Sequence, residues 1–221
     1  MKLTIAKEEL IAGLQAVQNV VGSRTTLPIL SNVLLQAQAG RLAFTATDLD
    51  VTVACTVEAK VARPGSTTLP ARRLFSIVRE LGTQEIEVEV DEKNSCSLVS
   101  GSSYFKINGL AAEEFPPLPS FADNRHVTLP QDKMKGMLRR TAFAVSNDEA
   151  RYVLNGLYFS FREHKVTLVA TDGRRLALTD EELDIPAESQ AEFIVPTKAI
   201  NELTRLLQDK GEVRITLGEN Q

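Results

Sequence analysis

The chain lacks any apolar run close to the roughly 20 residues that a membrane-spanning helix requires. Its N-terminus, Met1–Ile5, alternates apolar and polar side chains like a strand and lacks the apolar centre of a secretion signal. Only two cysteines occur, Cys55 and Cys96, which is typical of a protein from a reducing compartment. These absences predict a cytoplasmic protein with reduced thiols and no membrane partner.

Sequence motifs for catalysis and cofactor binding are missing as well. Gly101 has no Lys-Ser or Lys-Thr after it, so it does not belong to a phosphate-binding loop. His126 and His164 have no cysteine or carboxylate at metal-ligand spacing, and we predict that both are surface residues. We therefore expect no enzyme, no catalytic residue, no cofactor and no metal.

Positive charge is not in excess. The net charge is −4 and the pI is about 5.4, which argues against general affinity for nucleic acid because phosphate binding needs concentrated Lys and Arg. Hydrophobic residues make up 43% of the chain, enough apolar material for substantial cores. The placement of the cations therefore has to decide whether the protein binds DNA.

What the sequence does contain is an internal repeat. Leu3–Val53 aligns with Val127–Ala177 without a gap, at an offset of 124 positions (127 − 3). Two later blocks match at slightly larger offsets: Thr68–Pro70 with Ile194–Pro196 at 126 (194 − 68), and Glu85–Val88 with Glu212–Ile215 at 127 (212 − 85). A period this long indicates a duplicated domain rather than a solenoid.

The two copies differ in extent. The first continues through Ser95–Leu110, whereas the second reaches Gln221 where that continuation would begin. We therefore expect a fragment of something longer. Its first domain would span residues 1–122, including the start of a proline-rich linker, and its second would span residues 123–221 without its C-terminal strands.

Each copy is predicted to hold two amphipathic helices packed on antiparallel sheets, which is an α+β fold. Apolar residues at helical spacing predict helices at residues 8–21, 70–81, 131–145 and 196–209. Alternating segments predict the strands, including one long strand at residues 51–61. With both helices on one face, their polar sides would point outward together.

Cations recur at equivalent places on these helices. Arg72 and Arg79 lie opposite the apolar stripe of the second helix, and Lys198 and Arg205 lie at the matching positions, 126 residues on (198 − 72 and 205 − 79). The first helix of the second copy adds four cations: Lys133, Lys135, Arg139 and Arg140. Exposed Lys and Arg are common on helices, but repetition across the duplication favours contact with the phosphates of an anionic polymer.

Two aspartates offer a different interpretation. Ala46-Thr47-Asp48 corresponds to Ala170-Thr171-Asp172 in the repeat. Clustered carboxylates serve two-metal phosphoryl chemistry, so a metal-dependent nuclease is one alternative function. As repeat equivalents, Asp48 and Asp172 should lie in different domains. We favour a turn in which each carboxylate accepts local backbone hydrogen bonds.

Several motifs resemble the bacterial sliding clamp family, the beta subunits of DNA polymerase III. They are Met1–Ile5, Thr26–Asn32, Ala46–Leu49, Pro70–Arg72, Glu114–Leu118, Arg151–Gly156 and Val169–Leu176. The resemblance covers the whole chain in order. It implies a DNA-clamp fold with domain one and most of domain two, domain three being absent. In that family, two three-domain subunits close into a ring around duplex DNA.

The resemblance also implies roles for particular residues. Arg24 and Tyr152 match positions that touch DNA, Arg72 and Arg73 match a basic helix start, and Phe105 matches an apolar contact at the subunit interface. One wall of a pocket for partner peptides matches Leu154, Thr171, Gly173, Arg174, Arg175 and Leu176. Leu154 could equally be a core residue of a strand. Arg174 stands where many relatives carry histidine.

The implied function is a non-catalytic processivity factor. Its partners would be double-stranded DNA, and the replicative polymerase, clamp loader and repair proteins through short peptide motifs. The full-length protein would form a homodimer ring, which this fragment alone could not close. Besides the nuclease, a peptide-binding adaptor with no direct role on DNA stays open as an alternative.

Overall fold

The repeat in the sequence reappears as a repeat of secondary structure. The computed structural model describes residues 1–22, 27–118, 125–148, 150, 151 and 153–218. The chain divides after Leu118 into two compact units. Each unit has two α-helices and antiparallel sheets, as the sequence predicts.

The first unit contains two sheets. Its elements are β1 (Lys2–Ala6), α1 (Lys7–Val17), β2 (Asn32–Gln38), β3 (Arg41–Thr47), β4 (Thr52–Glu58), β5 (Lys60–Arg63), β6 (Gly65–Pro70), α2 (Ala71–Glu80), β7 (Glu85–Val90), β8 (Ser95–Ser100) and β9 (Ser103–Asn108). The strand orders are β5-β1-β7-β8-β9 and β4-β3-β2-β6. All of these pairs are antiparallel.

The second unit repeats this plan in a shorter form. Its elements are β10 (His126–Pro130), α3 (Gln131–Thr141), β11 (Gly156–Arg162), β12 (Lys165–Thr171), β13 (Leu176–Glu182), β14 (Ala191–Pro196), α4 (Thr197–Leu206) and β15 (Glu212–Thr216). The strand orders are β10-β15 and β13-β12-β11-β14. They correspond to β1-β7 and to β4-β3-β2-β6 of the first unit.

The element boundaries confirm the predicted offsets. From β1 to β10 the first residue shifts by 124 (126 − 2), and from α2 to α4 it shifts by 126 (197 − 71). From β7 to β15 the shift is 127 (212 − 85). Within the described residues, β5, β8 and β9 have no counterpart in the second unit.

Each unit buries the apolar stripes of its two helices against its sheets. In the first, Leu14 and Val17 of α1 and Leu74 and Val78 of α2 join one apolar cluster with Phe44 of β3. In the second unit, the corresponding apolar cluster includes the helix residues Met137, Leu138 and Ile200. Its strands add the rings of Phe159, Phe161 and Phe193, with centroids 5.5–6.3 Å apart. The stripe positions determine which side chains of each helix remain in water.

The two helices of each unit are tied together at equivalent points. Lys7, the first residue of α1, donates from Nζ to the carbonyl oxygen of Arg79 at 2.9 Å and also to that of Leu81. Gln131, the first residue of α3, accepts from the backbone N–H of Gln208 at 2.7 Å. In both cases a side chain at a helix start reaches the end of the second helix and satisfies backbone groups there.

Four predicted elements differ from the observed ones: three helices are shorter than predicted, and one strand is divided. The helices predicted at residues 131–145 and 196–209 end at Thr141 and Leu206. The first helix ends at Val17, not at Val21, although Val20 and Val21 are fully buried. These two valines continue the apolar spacing after the last helical turn, so the sequence pattern predicts a longer helix than the one observed. The long strand predicted at residues 51–61 is two strands. Strand β4 ends at Glu58, and Lys60 begins β5, where it pairs with Thr4 of β1 in the other sheet.

The packing of α1 allows a test with two glycines. A methyl group on Gly13 would overlap the ring of Phe44, whereas the nearest atom to one on Gly136 of α3 is the end of the Arg140 side chain, at 3.4 Å. We expect Gly13→Ala to lower the free energy of unfolding by about 1–3 kcal/mol through overpacking. Gly136→Ala should raise it by about 0.5–1 kcal/mol because alanine favours the helix. Urea unfolding measures both, and a neutral Gly13→Ala would contradict this packing.

Candidate nucleic-acid interface and peptide site

The cations of α2 and α4 occupy the same helical positions. Arg72 follows the first residue of α2, and Lys198 follows the first residue of α4. Arg79 and Arg205 each precede the last residue of their helix. All four residues are exposed. The apolar stripe of each helix packs against the sheets, and the cations lie on the opposite side. The repeated placement predicted from the sequence is thus present in the fold.

Some of these cations have carboxylate partners on their own helix. Arg79 pairs with Glu80, with 3.0 Å between Nε and Oε1, and Arg205 pairs with Glu202, with 2.6 Å between Nη2 and Oε2. Within the described residues, the side chains of Arg72 and Arg73 form no salt bridge, so the start of α2 presents two uncompensated guanidinium groups. Such groups suit bidentate contacts with phosphate.

The cations of α3 are more strongly engaged than the sequence suggested. Lys133 and Arg140 both reach Glu181 of β13, at 3.1 and 3.4 Å, and Arg140 Nε also donates to Thr179 Oγ1 at 3.1 Å. Lys135 pairs with Asp209, beyond the end of α4, at 2.6 Å. Arg139 is exposed and adds to the positive field on Asp209. Three of the four cations therefore already have a carboxylate partner.

Two residues predicted to touch DNA, Arg24 and Tyr152, lie outside the described residues. Phe105, predicted at the subunit interface, lies on β9 and is 40% exposed beside the exposed Tyr104. Strand β9 is the last of its sheet and pairs with β8 alone within the described part of the chain. An edge strand with exposed aromatic side chains is suited to strand addition.

The Thr-Asp turns are built the same way in both units. Asp48 Oδ1 accepts from the backbone N–H groups of Asp50 and Val51 at 3.1 and 2.7 Å. Asp172 Oδ1 accepts from those of Arg174 and Arg175, both at 3.0 Å. The turn interpretation of the two aspartates is confirmed, and the two lie in different compact units. Within the described ranges, no three His, Cys, Asp or Glu side chains come together as a metal site would require.

The turn between β12 and β13 carries five of the six predicted pocket residues. Thr171 Oγ1 accepts from the N–H of Gly173 and donates to the carbonyl of Arg175, at 3.1 and 2.7 Å. Gly173 has a φ of 87°, a left-handed conformation that glycine adopts without strain. Arg174 and Arg175 are exposed, and Leu176 is 66% exposed. The turn thus presents apolar and cationic side chains on a rigid backbone.

Leu154 is not a core residue of a strand. It is half-buried in the turn before β11, where its N–H donates to the carbonyl of Arg151 at 2.8 Å. The Arg151 guanidinium in turn lies 3.9 Å from where a Cβ of Gly173 would be. The side chain of Arg151 thus lies close to the β12–β13 turn.

Two side chains of this site, Arg151 and Phe143, are absent from the sequence-based set. Phe143 is 59% exposed just after α3, and the guanidinium carbon of Arg175 lies 5.8 Å from its ring centroid. Arg175 is also held by Asp172, with 3.1 Å between Nε and Oδ2. From a single sequence, an aromatic residue in the turn after a helix is expected in the core. Only its exposure in the structure reveals the cation–π contact with Arg175.

In the described part of the chain, no helix is both long and apolar enough to cross a membrane.

Comparison with known families gives two matches. Residues 1–119 match the DNA polymerase III beta subunit, N-terminal domain, and residues 128–221 match its central domain.

Comparison with individual proteins agrees with these matches. The chain is 39% identical over its whole length to the beta sliding clamp of Chlamydia trachomatis, covering 53% of that protein. A sliding clamp structure from Bacillus subtilis superposes with a TM-score of 0.95 at 34% identity, and one from Pseudomonas aeruginosa with 0.93 at 38%. In both, 99% of this chain and 60% of the other are covered. The chain therefore spans little more than half the length of these relatives.

The cause of the Asp172 ionisation can be tested by titration. The backbone N–H groups of Arg174 and Arg175, ahead of the charge of Arg175, lower the pKa of the Asp172 carboxyl below its ordinary value of 3.8. Because the folded pKa is lowered, this carboxylate stabilises the turn above pH 3.8 and loses that effect as the pH falls through the lowered value. We expect carbon-detected NMR of Arg175→Gln to keep the midpoint below 3.8. A return to the ordinary value would assign the effect to the ion pair instead.

Proposed function

The chain belongs to the DNA polymerase III beta subunit family, and we propose that it forms part of a DNA sliding clamp. In this role it encircles duplex DNA and keeps the replicative polymerase on its template, without catalysing a reaction itself. The supporting observation is the pair of cations at matching positions of α2 and α4. A ring that surrounds DNA cannot dissociate sideways, so weak phosphate contacts are sufficient and allow sliding.

The proposed DNA surface consists of the exposed sides of three helices, α2, α3 and α4. Its cations are Arg72, Arg73, Arg79, Lys133, Lys135, Arg139, Arg140, Lys198 and Arg205, with Arg24 and Tyr152 as further contacts. Helix side chains of this kind reach phosphates and carry no sequence information. The ring would be a homodimer in which Phe105 lies at the subunit interface, and it would act in the cytoplasm. We assign residues 1–122 to the first clamp domain and 123–221 to the second.

The second proposed surface is a docking site for short peptide motifs of polymerases, the clamp loader and repair proteins. It comprises Leu154, Thr171, Gly173, Arg174, Arg175 and Leu176. Leu176 offers exposed apolar area, and the hydrogen-bonded turn fixes its position, so little entropy is lost when an apolar anchor docks. Arg175, held by Asp172 and Phe143, presents a guanidinium edge beside that anchor.

The DNA surface is tested by reversing the four matching cations with Arg72→Glu, Arg79→Glu, Lys198→Glu and Arg205→Glu. We expect duplex binding to weaken and the slope of log affinity against log salt to fall by about 0.9 for each lost phosphate contact. Fluorescence anisotropy in a KCl titration measures this. A second variant with glutamine at these positions avoids placing a new carboxylate beside Glu202.

The matched control for that experiment reverses four exposed cations on strands: Arg41, Lys60, Lys106 and Arg162. It changes the net charge by the same amount as the helix variant, but at positions outside the helices. If this control loses as much DNA affinity as the helix variant, the helix faces are not the DNA surface. Peptide binding should be unchanged in both, which separates the clamp from an adaptor without a role on DNA.

The peptide site is tested with two neighbouring leucines. Leu176→Ala should weaken binding of a labelled peptide with hydrophobic anchors by about 10-fold, because it removes exposed apolar contact area. Leu178→Ala, a comparably exposed leucine on the same strand, should leave binding unchanged. Isothermal titration calorimetry measures both. Equal losses would show that β13 as a whole, and not the turn, contacts the peptide.

A further inference from the structure

We propose that Asp209 acts as an internal competitor for DNA phosphate, holding Lys135 and weakening the contact of α3 with the duplex so that the protein moves along it. The inference rests on the proposed DNA-binding function. It assigns a role to a carboxylate that lies outside the cation set and that neither the fold nor the core requires. The argument starts from the geometry of the Lys135–Asp209 pair.

The pair is short but open to water. Lys135 Nζ and Asp209 Oδ1 are 2.6 Å apart, and the Asp209 side chain is 87% exposed. The Lys135 side chain is only 29% exposed, so its stem is packed and its ammonium is held in one region. Surface ion pairs contribute little net stability because water and salt screen them. A phosphate can therefore displace the Asp209 carboxylate, but only by competing with it.

The surroundings of Asp209 favour its charged form. The hydrogen bond from Lys135, followed by its charge and that of Arg139, lowers the pKa of the Asp209 carboxyl. The same carboxylate thus partly neutralises two of the proposed DNA contacts. Glu181 has a similar relation to Lys133 and Arg140 on the other flank of α3, but it is only 27% exposed and is less available for exchange.

The internal repeat supports a link between the cations and their carboxylates. The first copy has Glu9, Ile11, Gln15 and Ala16 at the four cation positions of α3. It also has Val57 where the second copy has Glu181, and the uncharged Gly82-Thr83 where the second copy has Asp209. Extra cations and opposing carboxylates therefore occur together in one copy and are both absent from the other. This is the pattern expected if the carboxylates limit the added positive charge.

The experiment compares Asp209→Asn with Asp132→Asn in duplex binding across a KCl titration. Asp132 lies in the first turn of α3, is exposed, and forms no salt bridge within the described residues. Each variant removes one negative charge from the same region, but only Asp209→Asn releases Lys135. We expect Asp209→Asn to steepen the salt dependence by about 0.9 per released cation, an added change of about 3-fold in affinity between 50 and 200 mM salt. Asp132→Asn should produce a smaller change in affinity at all salt concentrations.

A double variant tests the mechanism. Adding Lys135→Gln to Asp209→Asn should remove the gain, because the released ammonium is then absent. Equal effects of Asp209→Asn and Asp132→Asn would overturn the inference while leaving the proposed function in place, since net charge alone would explain them. If neither the wild type nor Asp209→Asn binds duplex at low salt, both the inference and the proposed DNA surface are wrong.

Discussion

The burial of one stripe of each helix against a sheet is the constraint on which the rest of the structure depends. It determines which side chains face water. The strand-to-helix junction before the second helix of each unit determines where along the helix those side chains fall. Pro70 ends β6 opposite Asn32, and Pro196 ends β14 opposite Gly156. Both prolines have a φ of −57° and both directly precede the helix. Proline needs no hydrogen-bond acceptor at this position and sets the entry angle of the chain. The cation two residues later therefore occupies the same helical position in both units.

This local coupling explains what could be predicted from the sequence. The repeat offsets, the four helices and the matching cations follow from patterns within one or two turns of chain, and the structure reproduces them. Val20 and Val21 show where such reasoning fails, since burial preserved an apolar spacing after the helix had ended. The partners of α3 show a second limit. Glu181 and Asp209 lie 48 and 74 residues from the lysines they bind, and no local pattern reports a contact of that range.

Electrostatics in this chain therefore has to be considered pair by pair. An acidic protein can bind a polyanion if its cations are concentrated locally, but the observed ion pairs leave the helix cations unequally compensated. Arg72 and Arg73 carry uncompensated charge, whereas Arg79 and Arg205 share theirs with carboxylates on the same helix. Contacts that are individually weak suit the proposed clamp function, because tight phosphate binding would oppose movement along the duplex.

The duplication also separates the fold from the function built on it. Both units use the same Thr-Asp turn, with Leu49 in a left-handed conformation in the first and Gly173 in the second. In the first copy the residues that follow Leu49 are Asp50, Val51 and Thr52, whereas in the second they are Arg174, Arg175 and Leu176. Only the second turn thus combines cationic groups with an exposed leucine, and only there does an aromatic ring, Phe143, support the guanidinium. The backbone is common to both, so the proposed peptide site depends on these side chains and not on the fold itself.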